Sequence, residues 1–125
     1  MGNKLKILVV EDNPVNLELF TDFLNVGGYE CIRTPKGEDA IELARKEDPD
    51  LVLLDIQLPG VDGLTVVKDL KAHDATKHIR IIALTAYAMK GDREMFLEKG
   101  FDGYMAKPIK MKEFLEAIEG YLRNE

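Results

Sequence analysis

Cysteine occurs once in this sequence, at Cys31, which excludes an internal disulfide and any cysteine-built metal cluster and fits a reducing compartment. No apolar run approaches the roughly 20 residues needed to cross a bilayer, and no charged-then-apolar leader opens the chain. Met1-Gly2 begins as a myristoylation signal does, but position six holds Lys6 where Ser or Thr is required. Basic charge is in deficit: 17 Lys and Arg stand against 23 Asp and Glu, a net charge of −6. Phosphate contacts need a basic face, so direct nucleic-acid binding is not expected. Linkers, low-complexity tracts and charged tails are missing as well. The expectation is one cytoplasmic domain over residues 1–125, with no membrane contact.

Apolar residues make up 46% of the chain, and they gather in short runs that end in acids. Leu51-Val52-Leu53-Leu54 runs straight into Asp55, and Ile7-Leu8-Val9-Val10 into Glu11-Asp12. Such runs read as strands buried on both faces, which belong to parallel sheets covered by helices. Further strands are predicted at Tyr29–Arg33, Ile79–Leu84 and Asp102–Met105. Helical spacing alternates with them. A first helix follows Asn13 as N-cap and Pro14 as first residue, and runs to Val26 before Gly27-Gly28. Its stripe of Phe20, Phe23 and Leu24 faces the core. Others are expected at Lys36–Lys46, Leu64–Ala72 (Leu64, Val67 and Leu70 on one side), Ala88–Lys99 and Lys110–Arg123. In the last, Met111, Phe114, Leu115, Ile118 and Leu122 face inward. Asp48-Pro49 breaks the second helix. Five strand–helix units of about 25 residues imply right-handed crossovers and a flavodoxin-like, doubly wound five-stranded parallel sheet with five helices. The expected strand order is 2-1-3-4-5.

In that order the polar residues at the strand ends converge on one edge, where open α/β sheets bind ligands. The first strand supplies Glu11 and Asp12, the third Asp55, the fourth Thr85, and the fifth is followed by Lys107-Pro108. Three neighbouring carboxylates repel one another and call for a cation. A hard divalent ion such as Mg²⁺, or Mn²⁺ in its place, suits oxygen ligands. Lys107 adds a compact positive charge and Thr85 a hydroxyl donor. That set suits the oxygens of a transferring phosphoryl group, with Asp55 as nucleophile and an aspartyl phosphate as product.

The combination resembles the receiver domain of two-component response regulators. The resemblance rests on Val10-Glu11-Asp12, on Leu53-Leu54-Asp55-Ile56-Gln57-Leu58-Pro59-Gly60-Val61-Asp62-Gly63, on Ala83-Leu84-Thr85-Ala86 and on Lys107-Pro108. Each piece alone is weak; four in order at strand ends are specific. Glu11-Asp12-Asn13-Pro14-Val15-Asn16 and Thr85-Ala86-Tyr87-Ala88-Met89-Lys90-Gly91-Asp92 are most similar to DivK-type single-domain regulators and to receivers of hybrid kinases. The resemblance implies that Asp55 accepts phosphate from a histidine kinase or a histidine phosphotransfer protein. It implies Mg²⁺ held by Asp12, Asp55 and the backbone carbonyl of Gln57, with Glu11 helping through water. Thr85 and Lys107 would contact the phosphoryl group, and Tyr104 would move with phosphorylation. Glu11 stands where many members have Asp. The implied product is a switch, without a second substrate and without an output domain of its own.

Several residues refine that expectation. Val15 and Leu19 lie on a row of the first helix offset from its core stripe, beside Asp12, and are candidates for docking the donor. Gln57 and Tyr87 should border the path of attacking water, with Tyr87 shielding the phosphoryl group. Output is expected through the fourth helix, fifth strand and fifth helix, where Lys90, Met105 and Lys112 could reach a partner. His73 and His78 are read as solvated, Cys31 as a small buried hydrophobe, and Gly63 as relief for the backbone before the third helix. Two other functions fit less well. An aspartate-nucleophile phosphatase needs an acid two residues past its nucleophile, whereas Asp12 precedes Asn13-Pro14 and Asp55 precedes Ile56-Gln57. A binding module that is not phosphorylated has no need to keep the acids and lysine together.

Overall fold

The computed structural model describes residues 4–58, 60–86 and 92–123. The chain alternates strand and helix: β1 (Lys6–Val10), α1 (Pro14–Val26), β2 (Glu30–Thr34), α2 (Ala40–Glu47), β3 (Leu51–Asp55), α3 (Gly63–Ala72), β4 (Arg80–Thr85), α4 (Asp92–Glu98), β5 (Gly103–Ala106) and α5 (Met111–Arg123). All neighbouring strands pair in parallel, in the order β2-β1-β3-β4-β5. This is the flavodoxin-like sheet expected from the alternation of acid-ended apolar runs and helical stripes.

The continuous apolar runs follow from burial of both sheet faces. On one face Leu8, Val10, Val52, Leu54, Ile81 and Ala83 meet Ala40 and Ala44 of α2, Val66, Val67 and Leu70 of α3 and Phe96 of α4. On the other, Ile7, Val9, Leu51, Leu53, Ile82 and Leu84 meet Phe20 and Leu24 of α1 and Phe114 and Ile118 of α5. Alternate residues thus point to opposite layers, and neither layer can lose its apolar set without exposing a sheet face. Phe20 and Phe114 stack with centroids 5.4 Å apart and join α1 to α5. Truncating the fully buried Phe114 to Ala would cost about 3–5 kcal/mol.

Local signals set the boundaries. Asn13 Oδ1 accepts the amides of Val15 and Asn16 at 2.9 and 3.1 Å, which starts α1. Gly28, at φ +86°, takes the left-handed turn after α1. Asp48, at φ 48°, does the same after α2.

Several expectations need correction. β2, β4 and β5 each lie one residue further along than their runs suggested, because pairing with the neighbouring strand, and not the apolar run, decides where a strand ends. The second helical segment opens with a 3₁₀ turn at Gly37–Asp39 before α2 begins. Val66 joins Val67 and Leu70 in the core, whereas Leu64 is half-buried. In α5, Met111 is 40% exposed and Leu115 and Leu122 are half-buried, leaving Phe114 and Ile118 as the residues of that stripe that are fully buried. Cys31 is half-buried, since β2 is an edge strand with thin cover. α4 is described from Asp92 onward; Ala88 to Gly91 lie outside the described residues. The Lys107–Pro108 peptide is cis. Among the described residues, no helix is long and apolar enough to cross a membrane.

Candidate functional site

Strand order brings the acids together. Val10 pairs with Leu54, so Glu11 leaves β1 beside Asp55 at the end of β3. Asp55 pairs with Leu84 on its other side, and Thr85 with Ala106. The amide of Lys107 donates to the Thr85 carbonyl at 2.7 Å and carries the lysine over the same edge.

Lys107 Nζ lies 2.7 Å from Glu11 Oε1 and 3.1 Å from Asp55 Oδ2. Asp55 is buried, and its Oδ1 accepts the amide of Gln57 at 2.9 Å. Glu11 is fully buried. Its amide donates to the Thr34 carbonyl at 3.1 Å, and its Oε2 accepts the amide of Asn13 at 3.2 Å. Its Oε1 makes no hydrogen bond among the described residues, so the close Lys107 contact is one of charge without good hydrogen-bond angles.

Burial pushes the Glu11 carboxyl up to about 7; the Asp55 carboxylate adds to the rise and Lys107 opposes it. For Lys107, burial alone would favour the neutral amine. Glu11 and Asp55 outweigh it and hold the ammonium above its ordinary value. One cation therefore serves two buried carboxylates, and the shortage of positive charge falls on Glu11.

Asp12 completes the group: one oxygen each from Glu11, Asp12 and Asp55 lie within 4.8 Å of one another. Asp12 is exposed while the other two are buried, so a cation could enter from solvent and find ligands behind it. The set is all oxygen, and Glu11 Oε1 is buried without a hydrogen bond, which fits a hard divalent ion such as Mg²⁺.

The remaining expected residues fall around this cluster. Thr85 is buried at the end of β4. Tyr104 pairs with Ala83 and lies on the same sheet face as Thr85, two residues further along that strand. Its ring is half-buried against Phe96, with centroids 5.6 Å apart. Val15 and Leu19 are 74% and 40% exposed, and with Pro14, Glu18 and Asp22 they line a shallow groove beside the Asp12 end of α1. Both histidines are exposed; His78 Nε2 lies 3.2 Å from Asp48 Oδ1.

Met105 offers a partner only an edge: it is 7% exposed and packs in the α1–α5 layer, on the sheet face opposite to Tyr104, where it lines a surface groove. Lys112 is exposed. Lys90 and Tyr87 lie outside the described residues. Two features escaped the sequence reading. The Asn13 amide holds Glu11, and a groove of about 400 Å³ runs along Met105, Ala106, Pro108, Ile109, Glu113 and Ala117. The apolar Pro108-Ile109 pair directly after Lys107 was the available signal for the groove.

Residues 7–119 match the response regulator receiver domain family. The polar-differentiation response regulator DivK of Brucella anthropi is 50% identical over 116 residues, which cover 93% of this chain and 94% of that protein. Among solved structures, the receiver domain of the sensor histidine kinase PA1611 of Pseudomonas aeruginosa, with a magnesium ion coordinated in its active site cleft, superposes with a TM-score of 0.89 at 34% identity. That match covers 98% of this chain and 100% of the other. A putative response regulator of Chloroflexus aurantiacus reaches a TM-score of 0.91 at 31% identity, over 98% of this chain and 100% of its own.

Proposed function

This chain belongs to the response regulator receiver family, and from that premise we propose that residues 1–125 form a phosphoacceptor switch, with Asp55 as the acceptor. The observation that carries the reading is the Asp55 carboxylate, 4% exposed, with Lys107 Nζ at 3.1 Å and carboxyl oxygens of Glu11 and Asp12 within 4.8 Å. An Asp55 oxygen attacks the phosphorus of a phosphohistidine; a P–O bond forms, the P–N bond breaks and the imidazole leaves with the electron pair. Asp12, Asp55 and the Gln57 backbone carbonyl would hold Mg²⁺ (or Mn²⁺), with Glu11 acting through water, and the ion would neutralise charge on the phosphoryl oxygens. The magnesium in the cleft of the PA1611 receiver supports this assignment. Lys107 moves from sharing its charge between two carboxylates to pairing with the phosphoryl oxygens, and the Thr85 hydroxyl donates to them. No step acts on a second substrate, so the protein is a switch and not a turnover enzyme.

The donor is a histidine kinase or histidine phosphotransfer protein, docked over Val15 and Leu19. The signal leaves by contact with a protein target at α4, β5 and α5, as Tyr104 follows Thr85. The setting is the cytoplasm, with no direct contact to nucleic acid or membrane. The test is labelling by a small phosphodonor, located by mass. The expected result is one adduct, on Asp55, lost in Asp55→Asn and on chelation. A full adduct in Asp55→Asn contradicts the reading. Leu19→Arg should slow transfer from the cognate phosphohistidine donor and spare small-donor labelling; equal loss from both removes the docking role. Beryllofluoride should shift the amides of β5 and α5 in wild type but not in Thr85→Ala; no shift in wild type removes the route through Thr85 and Tyr104.

A further inference from the structure

We infer that Gly63 is a positioning residue for Asp55: the absence of a side chain there lets the first turn of α3 press on the Asp55–Ile56 peptide and fix the direction of the carboxylate. The inference rests on the reading of Asp55 as phosphoacceptor.

Gly63 is the first residue of α3 and is buried. A Cβ at this position would stand 2.5 Å from Ile56 Cα, 2.7 Å from the Asp55 carbonyl oxygen and 3.2 Å from the Asp55 carbonyl carbon. All three are backbone atoms, so no side chain can turn aside. Its φ lies outside the left-handed region, unlike that of Gly60 at +83°. The requirement is therefore close approach, and not the backbone relief that sequence alone suggested. Gly37 makes a useful contrast: its two nearest neighbours are side-chain atoms of Leu58 and Val66 at 3.1 and 3.2 Å, and its nearest backbone atom, the Val61 carbonyl oxygen, stands at 3.3 Å.

Both partners in the contact are tied in place, the helix more firmly than the peptide. The amide of Gly63 donates to the Ile56 carbonyl at 3.1 Å. Asp62 Oδ1 caps α3 through the amide of Thr65 at 2.9 Å. Val66 and Val67, one turn on, are buried in the core and hold the helix down. Across the contact, the amide of Ile56 is tied to the Leu84 carbonyl of β4 at 3.2 Å. An added methyl must open the 2.5 Å separation by about 1 Å to reach ordinary contact, and the peptide carrying Asp55 is where that shift falls. Asp55 Oδ1 is set by the Gln57 amide at 2.9 Å and Oδ2 by Lys107 at 3.1 Å, so turning this peptide disturbs both.

The test compares small-donor labelling rates per folded molecule in wild type, Gly63→Ala, Asp62→Ala and Leu70→Ala. Leu70 lies on the same helix, fully buried and away from Asp55, and its truncation reports destabilisation alone. A misplacement of about 1 Å predicts labelling slowed on the order of 10- to 100-fold in Gly63→Ala. Leu70→Ala should label at the wild-type rate. The Gln57 amide NMR shift should move in Gly63→Ala and stay put in Leu70→Ala. Asp62→Ala adds no atoms at residue 63 but loosens the first turn, and should slow labelling severalfold with the same Gln57 amide moved. That variant decides the matter if Gly63→Ala does not fold. Gly63→Ala or Asp62→Ala labelling as fast as Leu70→Ala, with Gln57 unmoved, overturns the inference while leaving Asp55 as acceptor. A wild type that takes no label on Asp55 overturns the reading beneath it.

Discussion

Where the strands begin, Lys71 Nζ lies 3.0 Å from the Ile79 carbonyl and 3.1 Å from Asp102 Oδ2, and the same carboxyl oxygen accepts the Ile81 amide at 2.8 Å. Where the strands end, Lys107 Nζ lies between Glu11 Oε1 and Asp55 Oδ2 at 2.7 and 3.1 Å. Both ends therefore set one lysine against carboxylate oxygen, one acid at the first end and two at the second. They differ in water and in partners. The Lys71 and Asp102 side chains are 27% and 39% exposed, so solvent shares their charge. The Glu11 side chain is fully buried, its Oε1 without a hydrogen bond among the described residues. A structural ion pair has its charges matched and wetted. A site awaiting a ligand holds them buried and short of partners, which costs stability until the ligand arrives.

Substitution of the two lysines should separate the ends most widely. In Mg²⁺-free buffer at pH 8, Lys107→Met leaves two buried carboxylates without their cation and should cost about 3 kcal/mol. Lys71→Met should cost about 1 kcal/mol, as for a half-exposed pair. Urea denaturation of both variants checks this, and a larger loss in the Lys71 variant breaks the distinction.

Acidity gives the next largest difference. The Glu11 carboxyl is pushed up from an ordinary value of 4.5 to about 7, by burial first and then by Asp55. Its folded-state value is thus the higher one. Its contribution to stability is full below 4.5, where both states hold the proton, and is lost as pH rises through 7. Metal-free protein should lose on the order of 1–2 kcal/mol between pH 5 and pH 8. Glu11→Gln should flatten that slope, and saturating Mg²⁺ should offset the loss at pH 8. A slope unchanged in Glu11→Gln assigns the effect elsewhere.

The smallest expected effect lies at the settled end. Asp102→Asn keeps an acceptor for the Ile81 amide and loses a partly exposed charge pair, so it should cost about 0.5 kcal/mol. Small-donor labelling of Asp55 should be unchanged. Slower labelling in this variant would mean that the two ends are coupled through β5.

The sheet was legible because Leu51–Leu54 and Ile7–Val10 are apolar at every position, which parallel strands require and amphipathic helices do not. The acids were legible because each ends such a run. What makes Glu11 different from Asp12 was not. Its burial depends on Lys107 arriving from β5 and on the Asn13 amide turning back, contacts that no local pattern records. Facing was equally hidden at Met105: it is one residue from Tyr104, and the pleat sends them to opposite layers. The need for glycine at residue 63 arises from the Asp55–Ile56 backbone beneath it, which residue type alone suggested as relief and packing shows as contact.

The central claim is that the acids where the strands end can take up a cation, whereas Lys71 and Asp102 where the strands begin form a settled ion pair. Titration with Mg²⁺, followed at backbone amides by NMR, tests it directly. The account predicts saturable shifts at Glu11, Asp12, Asp55 and Gln57, with Lys71, Ile81 and Asp102 still. Equal movement at both ends, or none that saturates at the Asp55 end, would contradict it.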